Sequence, residues 1–541
     1  MMTSTSARAA ESDQDMAERA STTEAPAASF GARRLESLWS AWVEQAPMRR
    51  LAIMIFIFGV ALMLAHRPWR QMEVGDSAIY DYIAQAILRG QMPYRDVIDP
   101  KAPASMYLSA AAMAAGKLIH IRDVYAVRGL HVLLVGWLAM MTYLVAEAYL
   151  HNRVAAIIAG LVPLMRPDFA TMMTQGTQPK LSMLVFGMTA LLLIAKNRPF
   201  WAGFSSMLAC LCWQPGLMFT GAAVLIFSRY LTSWRDRRAL KVMAGAVIPL
   251  AVTALYFYLR GALGAMVEWT LIFPYSVFAP HGERSLAAAL GHLWKVTWRV
   301  FEWDVVLVAM SLIGLLMFAV ERLRAKRRWR ESLRSPELFK DAVLMPPVVY
   351  LLFCLVNMQG GVDLIPFLPF VGIFGGWLLV EAVRMIGARR RTKARVMPLI
   401  VWVPRVALAL ILMMAIGRAA AYRLEGWSLQ YQDALLKQAL AGAGPDDRIY
   451  VHATAEILLL LNRPNLNPYI SFDSGADDYV GSQRAGGFAS VIEEMEAQAP
   501  KFVAISRLRN VTHRDELEQW VAAHYEKLPV NGYDIYIRKG Q

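Results

Sequence analysis

The sequence predicts a polytopic α-helical membrane protein with about 11 transmembrane helices and a small C-terminal α/β domain. Of its 541 residues, 57% are hydrophobic and only 18% are charged, whereas soluble domains carry about 25% charged residues. Long apolar runs alternate with short basic loops over most of the chain. After about residue 420 the pattern changes to short segments that are typical of alternating strands and helices. The predicted strands are 448–453, 501–506 and 534–539, and the predicted helices are 455–461, 490–497 and 514–525.

The N-terminal segment has a different composition. Residues 1–29 are rich in Ser, Thr, Ala and Glu and contain almost no large apolar side chains, so we expect a disordered tail. In residues 30–47, apolar side chains recur at helical spacing beside Arg33 and Arg34. This pattern favours an interfacial helix on the cytoplasmic face, and an ordinary packing helix explains it equally well.

Residues 48–419 are predicted to form the transmembrane domain. Its first apolar run, 51–65, follows a pair of arginines. The further candidate spans are 124–149, 153–165, 180–195, 200–213, 215–228, 242–260, 303–320, 342–357, 362–383 and 398–417. The count is least secure near 200–228, where two short helices meeting at Pro215-Gly216 would also fit the pattern.

The basic loops predict the orientation of the chain. If the N-terminus is cytoplasmic, strict alternation places the strongly basic loops 229–241, 321–340 and 388–395 inside, as the positive-inside rule requires. The polar loop 66–123, here called loop one, and the region 420–541 then lie outside. Because the Lys and Arg residues cluster in these inside loops, the net charge of +14 does not indicate a nucleic-acid partner.

Loop one contains the strongest functional signal, in residues 73–108. Charged groups beside a bilayer are costly unless they occupy a wet or paired site, so they indicate function. The pattern predicts an amphipathic helix over Ala78–Leu88, ended by Gly90, and a second helix over Ala104–Leu118. Lys101 lies in the Pro-rich turn between them. Such an arrangement could frame a lipid headgroup, and a plain solvated loop is the alternative.

The order of residues in this segment matches a known pattern. It carries an acid after the first span (Asp76), then Tyr82-Ile83-Ala84, Gly90, Pro93-Tyr94, Asp96 and Lys101-Ala102-Pro103. This order resembles that of the family C, lipid-phosphate-dependent integral-membrane glycosyltransferases. The resemblance is greatest to the bacterial branch related to protein mannosyltransferases and aminoarabinose transferases.

The resemblance continues more weakly over most of the remaining chain. Arg128 opens the second span, residues 176–184 look like the entry to the fourth span, and residues 212–219 and 363–370 are similar to later elements of the family. Two positions depart from the pattern. Gln178 stands where relatives often carry an acid, and Trp213 where many have Lys, so neither a second acidic ligand nor a metal site is implied.

The resemblance implies transfer of a hexose or pentose from a polyprenyl-phosphate donor to a hydroxyl group of a glycan, lipid or protein. It also implies a periplasmic active site in a bacterial inner membrane. A carboxylate near the acceptor can take its proton as a general base, and Asp76 has that position. The leaving lipid phosphate needs cationic stabilisation, for which Lys101 and Arg128 are the candidates. Direct attack by the acceptor would invert the anomeric carbon.

Further side chains are candidates for substrate binding. They are Tyr82, Tyr94, Asp96, Asp99, Asp168, Gln178 and Gln214. Asp168 could substitute for the acid missing before the fourth span, or be an ordinary loop acid. The sequence identifies no cofactor, and it leaves open both the use of a divalent cation and a metal site.

Two other functions stay open. One is a transporter or flippase of a lipid-linked glycan, which should place its ionisable residues near the middle of the membrane. The other is a transferase of a different lipid-linked group. The clustering of charge at the surface favours a glycosyltransferase over a transporter. Neither the donor sugar nor the acceptor follows from the sequence.

Overall fold

The computed structural model describes residues 47–228, 237–278, 285–328, 336–389, 397–424 and 426–540. The predicted disordered tail and nearly all of the predicted interfacial helix lie outside these residues. By its internal contacts the chain divides into two compact units, Met1–Leu51 and Ala52–Gln541. The packing described below lies within the second unit.

Helices make up the described region as far as residue 421. They are α1 (Met48–Ala65), α2 (Gly75–Leu88), α3 (Ala104–Leu118), α4 (Asp123–Leu150), α5 (Arg153–Leu161), α6 (Pro167–Thr174), α7 (Pro179–Ala195), α8 (Pro199–Cys212), α9 (Leu217–Ser228), α10 (Arg238–Leu259), α11 (Leu263–Val267), α12 (Phe273–Phe278), α13 (Leu286–Phe301), α14 (Val305–Arg328), α15 (Met345–Val356), α16 (Leu368–Arg389) and α17 (Met397–Ala421). Each apolar run predicted from the sequence coincides with one of these helices, which confirms the helical prediction.

Fewer helices cross a membrane on their own than the sequence predicts. Among the described residues, six helices are long and apolar enough to span, or seven if the bent pair 153–164 and 167–174 is one span. The helices α7, α8 and α9 are apolar but have only 10–17 residues. Because a bilayer core needs about 20 helical residues, the count of about 11 includes helices that are too short to cross alone.

The outer faces of the long helices are apolar. Large hydrophobic side chains such as Val247, Val252 and Leu255 of α10 are more than two-fifths exposed, and so are Leu316 of α14 and Met413 of α17. Apolar faces of this size are unfavourable in water but suit the hydrocarbon of a bilayer. The polytopic membrane fold predicted from the sequence is confirmed.

Loop one folds as two short helices, as predicted. The helix α3 has the predicted bounds, and α2 begins three residues before its predicted start. Asp76 therefore lies in the first turn of α2, where the helix dipole favours a negative charge. Gly90 follows α2 with φ +86°, a conformation that glycine adopts without steric cost.

The C-terminal region contains a four-stranded sheet with five helices. The elements are α18 (Leu429–Ala439), β1 (Ile449–His452), α19 (Glu456–Leu461), α20 (Ala476–Ser482), α21 (Ala489–Ala497), β2 (Phe502–Ile505), α22 (Arg514–His524), β3 (Tyr525–Lys527) and β4 (Ile535–Arg538). The strand order is β1-β2-β4-β3, with β1 and β2 parallel and the other pairs antiparallel. The predicted small α/β region is confirmed, although the sequence did not predict α18, α20 or β3.

The C-terminal region packs directly on loop one. One buried apolar cluster includes Ile83 of α2 together with Leu458 of α19 and Phe502 of β2. Ile98 of loop one pairs with Tyr469 in an isolated parallel bridge. Because these contacts bury apolar side chains from both parts, loop one and the C-terminal region lie on the same side of the helical bundle.

A buried arginine fixes the start of loop one. Arg128 of α4 is 1% exposed, and its Nη2 lies 2.6 Å from Glu73 Oε1. The same guanidinium donates to the carbonyl oxygens of Pro68, Gln71 and Gln175 at 2.6–2.8 Å. It therefore joins the chain that leaves α1 to the segment between α6 and α7.

We predict that Arg128→Ala destabilises the protein by about 3–5 kcal/mol, because the change leaves the buried Glu73 carboxylate unpaired. Arg122→Ala is the matched control, since Arg122 is 43% exposed and lies 3.2 Å from Asp433. Asp433 keeps Lys437 as a partner at 2.9 Å in this variant, and an ion pair with one solvent-exposed member contributes about 0–1 kcal/mol. Unfolding midpoints in detergent measure both variants, and equal losses would contradict the structural role of Arg128.

Candidate functional site

Asp76 projects from the open end of α2. Its side chain is 65% exposed, so the carboxylate is accessible from solution. The preceding residue, Gly75, has φ +63°, and a Cβ atom there would lie 2.8 Å from Arg507 Nη2. Glycine therefore allows both the turn before Asp76 and the close approach of the arginine.

Tyr80 lies one helical turn after Asp76 and is 4% exposed. The Lys101 ammonium is 5.8 Å from the centroid of its ring. Burial, followed by the negative charges of Asp76, Asp99 and Asp363, raises the pKa of Tyr80 well above its usual value. The phenol therefore stays protonated and can serve as a hydrogen-bond donor.

The turn that carries Lys101 is held at three points. The Tyr94 hydroxyl donates to the Lys101 carbonyl at 2.7 Å, and Gln214 Nε2 donates to the Pro100 carbonyl at 2.7 Å. The Lys101 backbone N–H donates to Asp99 Oδ1 at 2.8 Å. Tyr94, Asp99 and Gln214, which were predicted to bind substrate, therefore position the backbone of the predicted phosphate ligand.

A second cation lies at the start of α7. Lys180 Nζ is 3.2 Å from Asp363 Oδ1 and 4.6 Å from the centroid of the Trp213 ring. Asp363 also accepts hydrogen bonds from the backbone N–H groups of Gln359 and Gly360. The three weaker sequence elements predicted from the resemblance therefore meet around this lysine, which the sequence analysis did not single out.

The segment before Lys180 is fixed to α2 by a buried acid. Asp81 is 0% exposed, and it accepts from the Thr177 backbone N–H at 2.9 Å and from the Thr177 hydroxyl. Gln178 donates its backbone N–H to His131 Nε2 at 2.9 Å, and its side chain caps α7. The predicted substrate ligand Gln178 thus contributes to this internal network.

The other predicted site residues have partners elsewhere. The buried Tyr82 hydroxyl accepts the Asn465 N–H at 2.7 Å, which joins α2 to the C-terminal region. Asp96 pairs with its neighbour Arg95 at 2.8 Å. Asp168 pairs with Arg166 at 2.8 Å, at the opposite end of α6 from loop one.

Arg128 also differs from the sequence prediction. Its contacts with Glu73 and three carbonyl groups, given above, occupy the guanidinium inside the protein. Binding of a lipid phosphate by Arg128 would require breaking this buried pair. Lys180 is the second cation near the site, because it pairs with Asp363, whose charge raises the pKa of Tyr80.

The C-terminal region contributes an arginine to the same surface. Arg507 Nη1 lies 3.6 Å from Asp76 Oδ1, and the arginine side chain is 47% exposed. It borders a groove of about 840 Å³ whose lining includes Asp473, Arg509, Arg514 and Glu518. The groove lies beyond the carboxyl end of β2, where ligands commonly bind in α/β sheets. The sequence analysis missed Arg507 because it is far from loop one along the chain.

A buried histidine fixes both sides of this groove. His452 is 0% exposed; its Nδ1 lies 2.9 Å from the Ser506 carbonyl, and its Nε2 accepts the Phe472 N–H at 2.9 Å. Burial lowers the pKa of His452 to about 4, so the ring is neutral at pH 7. One imidazole thus holds the residues next to Arg507 and Asp473.

The bundle of apolar helices with a small α/β region packed on loop one is similar in fold to two solved structures. ArnT from Cupriavidus metallidurans in the apo state superposes with a TM-score of 0.55 at 14% identity, over 90% of this chain and 97% of ArnT. The oligosaccharyltransferase AglB from Archaeoglobus fulgidus, in complex with an inhibitory peptide and a dolichol-phosphate, superposes with a TM-score of 0.52 at 12% identity, over 92% of this chain and 75% of AglB.

Sequence comparison agrees with the fold. The family model described as DolP-mannose mannosyltransferase matches residues 90–255. A dolichol phosphate-mannose mannosyltransferase from Haloferax volcanii is 24% identical over 224 residues, or 41% of this chain. The match spans 47% of that relative, about half of its length. The resemblance predicted from loop one is confirmed.

The buried His452 predicts a pH dependence of stability. The unfolded chain binds the proton near pH 6.5 and the folded chain only near pH 4, so the unfolded state gains stability as the pH falls through this window. Burial raises the pKa of Glu456 to about 7, and that group has the opposite effect. A variant is therefore needed to separate the two contributions.

As the pH falls from about 6.5 to about 4, the wild type should lose up to roughly 3 kcal/mol of its free energy of unfolding relative to His452→Gln, which has no histidine to protonate. Thermal unfolding midpoints across this range measure the difference. Glu456→Gln is the control, because it removes the opposing titration and leaves the histidine in place. A difference that is independent of pH would contradict a buried neutral His452.

Proposed function

We propose that this protein transfers a sugar from a polyprenyl-phosphate donor to an acceptor hydroxyl group on the periplasmic side of a bacterial inner membrane. The observation that carries the proposal is the placement of an exposed carboxylate, Asp76, one helical turn before Tyr80, and of a lysine in a fixed turn, Lys101, over the Tyr80 ring. The names of the related proteins support this class of donor. One relative is a dolichol phosphate-mannose mannosyltransferase, and ArnT has been crystallised with undecaprenyl phosphate.

Asp76 is the proposed general base. As the acceptor oxygen attacks the anomeric carbon, its proton passes to the Asp76 carboxylate. The bond between the anomeric carbon and the phosphate oxygen breaks, and its electron pair leaves on the lipid phosphate. Because a single displacement inverts the carbon, we expect a product of inverted anomeric configuration.

Lys101 is the proposed ligand of the leaving phosphate. Its ammonium lies over the Tyr80 ring and, within the described part of the chain, pairs with no carboxylate. The hydrogen bonds to its backbone from Tyr94 and Gln214 fix the turn before the donor arrives. Such preorganised charge is effective because little reorganisation is needed in the transition state. Lys180 can assist, although it shares its charge with Asp363.

The groove beside Arg507 is the proposed entry for the acceptor. It opens next to Asp76, so a hydroxyl group presented from it would reach the base. Its lining carries both arginines and acids, which suits a polar acceptor rich in hydroxyl groups. Glycan, lipid and protein acceptors all remain compatible with this groove.

Transport of a lipid-linked glycan is less well supported. The accessible charges of Asp76 and Lys101 lie in loop one, outside the long apolar helices, whereas a transport pathway needs them within the membrane. Transfer of another lipid-linked group uses the same base and cation, and an assay with defined donors separates it from sugar transfer.

We predict that Asp76→Asn lowers the rate of sugar transfer by about 10²–10⁴-fold, the usual loss when a general base is removed. Release of a labelled sugar from a polyprenyl-phosphate donor, with no ion gradient, measures the rate. Asp446→Asn is the matched control, because Asp446 is an exposed acid in the C-terminal region and should be silent. A variant at position 76 that keeps a third of the activity would exclude Asp76 as the base.

We predict that Lys101→Ala lowers kcat/KM for the donor by roughly ten- to hundred-fold, because a charge-assisted contact contributes about 1.5–3 kcal/mol. Lys101→Arg should recover part of the loss, since it keeps the charge but changes the geometry. Lys117→Ala is the control: Lys117 is a half-exposed lysine at the end of α3. If kcat/KM for the donor is unchanged in Lys101→Ala, then Lys180 or another group binds the donor phosphate.

A further inference from the structure

A second group of titratable side chains lies in the C-terminal region, where α20 meets the turn before α22. Asp477 and Asp478 are in the first turn of α20, and His513 directly precedes α22. One oxygen or nitrogen from each of the three side chains lies within 4.8 Å of the others. These residues are outside the loop-one site, and the sugar-transfer mechanism does not use them.

Asp477 has a buried oxygen that needs a partner. The residue is 0% exposed, and its Oδ2 accepts the His513 backbone N–H at 2.8 Å. Among the described residues its Oδ1 has no hydrogen-bond partner. Since an unpaired buried carboxylate is very unfavourable, a positive ligand beside this oxygen would remove a substantial cost.

The ring of His513 is oriented as metal-binding histidines are. Its Nδ1 lies 2.7 Å from Glu516 Oε1, and its Nε2 lies 3.3 Å from Asp478 Oδ1. The Phe488 ring stacks on it, with centroids 4.8 Å apart. A metal-bound histidine usually donates its second ring N–H to a carboxylate. Here Nδ1 can donate to Glu516, and the lone pair of Nε2 is then free to bind a metal on the other side of the ring.

Asp478 is also oriented from outside the group. Its Oδ2 accepts the Thr512 hydroxyl at 2.7 Å, which turns the other oxygen toward His513. An Nε2 lone pair and a carboxylate oxygen repel each other at 3.3 Å unless a proton or a cation lies between them. The arrangement of all three side chains is therefore incomplete without a positive charge at its centre.

We propose that Asp477, Asp478 and His513 bind one divalent transition-metal cation, with Glu516 as the positioning residue for His513. Two carboxylates and one imidazole suit Zn²⁺ or Mn²⁺ better than Ca²⁺, which prefers oxygen ligands alone. The cation would neutralise the two carboxylates and leave at least one position for water. The evidence for this site does not rest on the proposed sugar transfer.

The position of the cation suggests a structural effect on the groove. It would join α20 to the turn before α22, and the segment that carries Arg507 and Arg509 ends only a few residues before that turn. Asp473, on the same groove, lies four residues before Asp477. Binding of the metal would therefore restrain both walls of the groove beside Asp76.

Zinc binding by the purified full-length protein tests the proposal. The protein is stripped with a chelator in detergent and titrated with ZnCl₂ by calorimetry, and elemental analysis gives the stoichiometry. We expect one zinc per chain in the wild type and at least a tenfold weaker affinity in Asp478→Asn and His513→Gln. His524→Gln is the matched control, because His524 is a surface histidine on α22 and should bind zinc as the wild type does.

Glu516→Gln separates metal binding from a simple ion pair. An outer partner of a metal-bound histidine typically contributes 10–100-fold to metal affinity, so this variant should bind zinc that much more weakly. A protonated His513 bridging the two carboxylates would satisfy the same contacts without metal. In that case the stripped wild type takes up no zinc, and the proposal is wrong.

Two further outcomes keep the test decisive. Zinc should raise the unfolding midpoint of the wild type, but not that of His513→Gln, whose metal-free midpoint shows whether it is folded. Zinc uptake by His513→Gln equal to that of the wild type would reveal surface binding only and overturn the proposal. Asp76→Asn should keep its zinc, so failure of the sugar-transfer proposal and failure of this one are distinguishable.

Discussion

Burial of α2 between the helical bundle and the C-terminal region is the constraint on which the rest of the outer surface depends. Consecutive side chains of a helix point about 100° apart, so one short helix can contact several different parts of the protein. Tyr80 faces the site around Lys101, Asp81 faces Thr177, and Tyr82 faces Asn465. Because each of these contacts fixes the rotation of the helix, the exposed carboxylate one turn before Tyr80 has a defined direction.

The charges near loop one fall into two groups with different physical roles. Arg128 with Glu73 is an inaccessible pair, which contributes order because either partner alone would be a buried unpaired charge. Asp76 and Lys101 stay accessible: backbone hydrogen bonds fix the turn of Lys101, and the half-exposed Arg507 contacts the Asp76 carboxylate only at 3.6 Å. Chemistry needs groups of the second kind, since a carboxylate or ammonium that is already neutralised is a poor base or phosphate ligand.

The sequence predicts what depends on local pattern. The apolar runs predict the long helices, and the helical spacing of apolar residues together with the Gly and Pro residues predicts α2 and α3. The short strand-like segments predict β1, β2 and β4. The acid and the lysine of loop one were identified because they lie close together in the chain. The pairing of Lys180 with Asp363 and the approach of Arg507 to Asp76 join residues far apart in sequence. Neither contact has a local signal, since each depends on how distant helices pack.

The same limit explains why several predicted substrate ligands have structural partners. Tyr94 and Gln214 were selected by their place in a pattern, but a pattern does not say whether a polar atom faces the substrate or a neighbouring carbonyl group. In the structure the Tyr94 hydroxyl and the Gln214 side-chain amide both donate to carbonyl groups in the turn of Lys101. A residue that holds a catalytic turn is constrained as closely as one that touches the substrate, because a shift of the backbone moves the reacting group with it. The pattern around loop one therefore describes a supported turn as much as a binding site. His452 supports the segment of Arg507 in a similar way, through its contact with the Ser506 carbonyl.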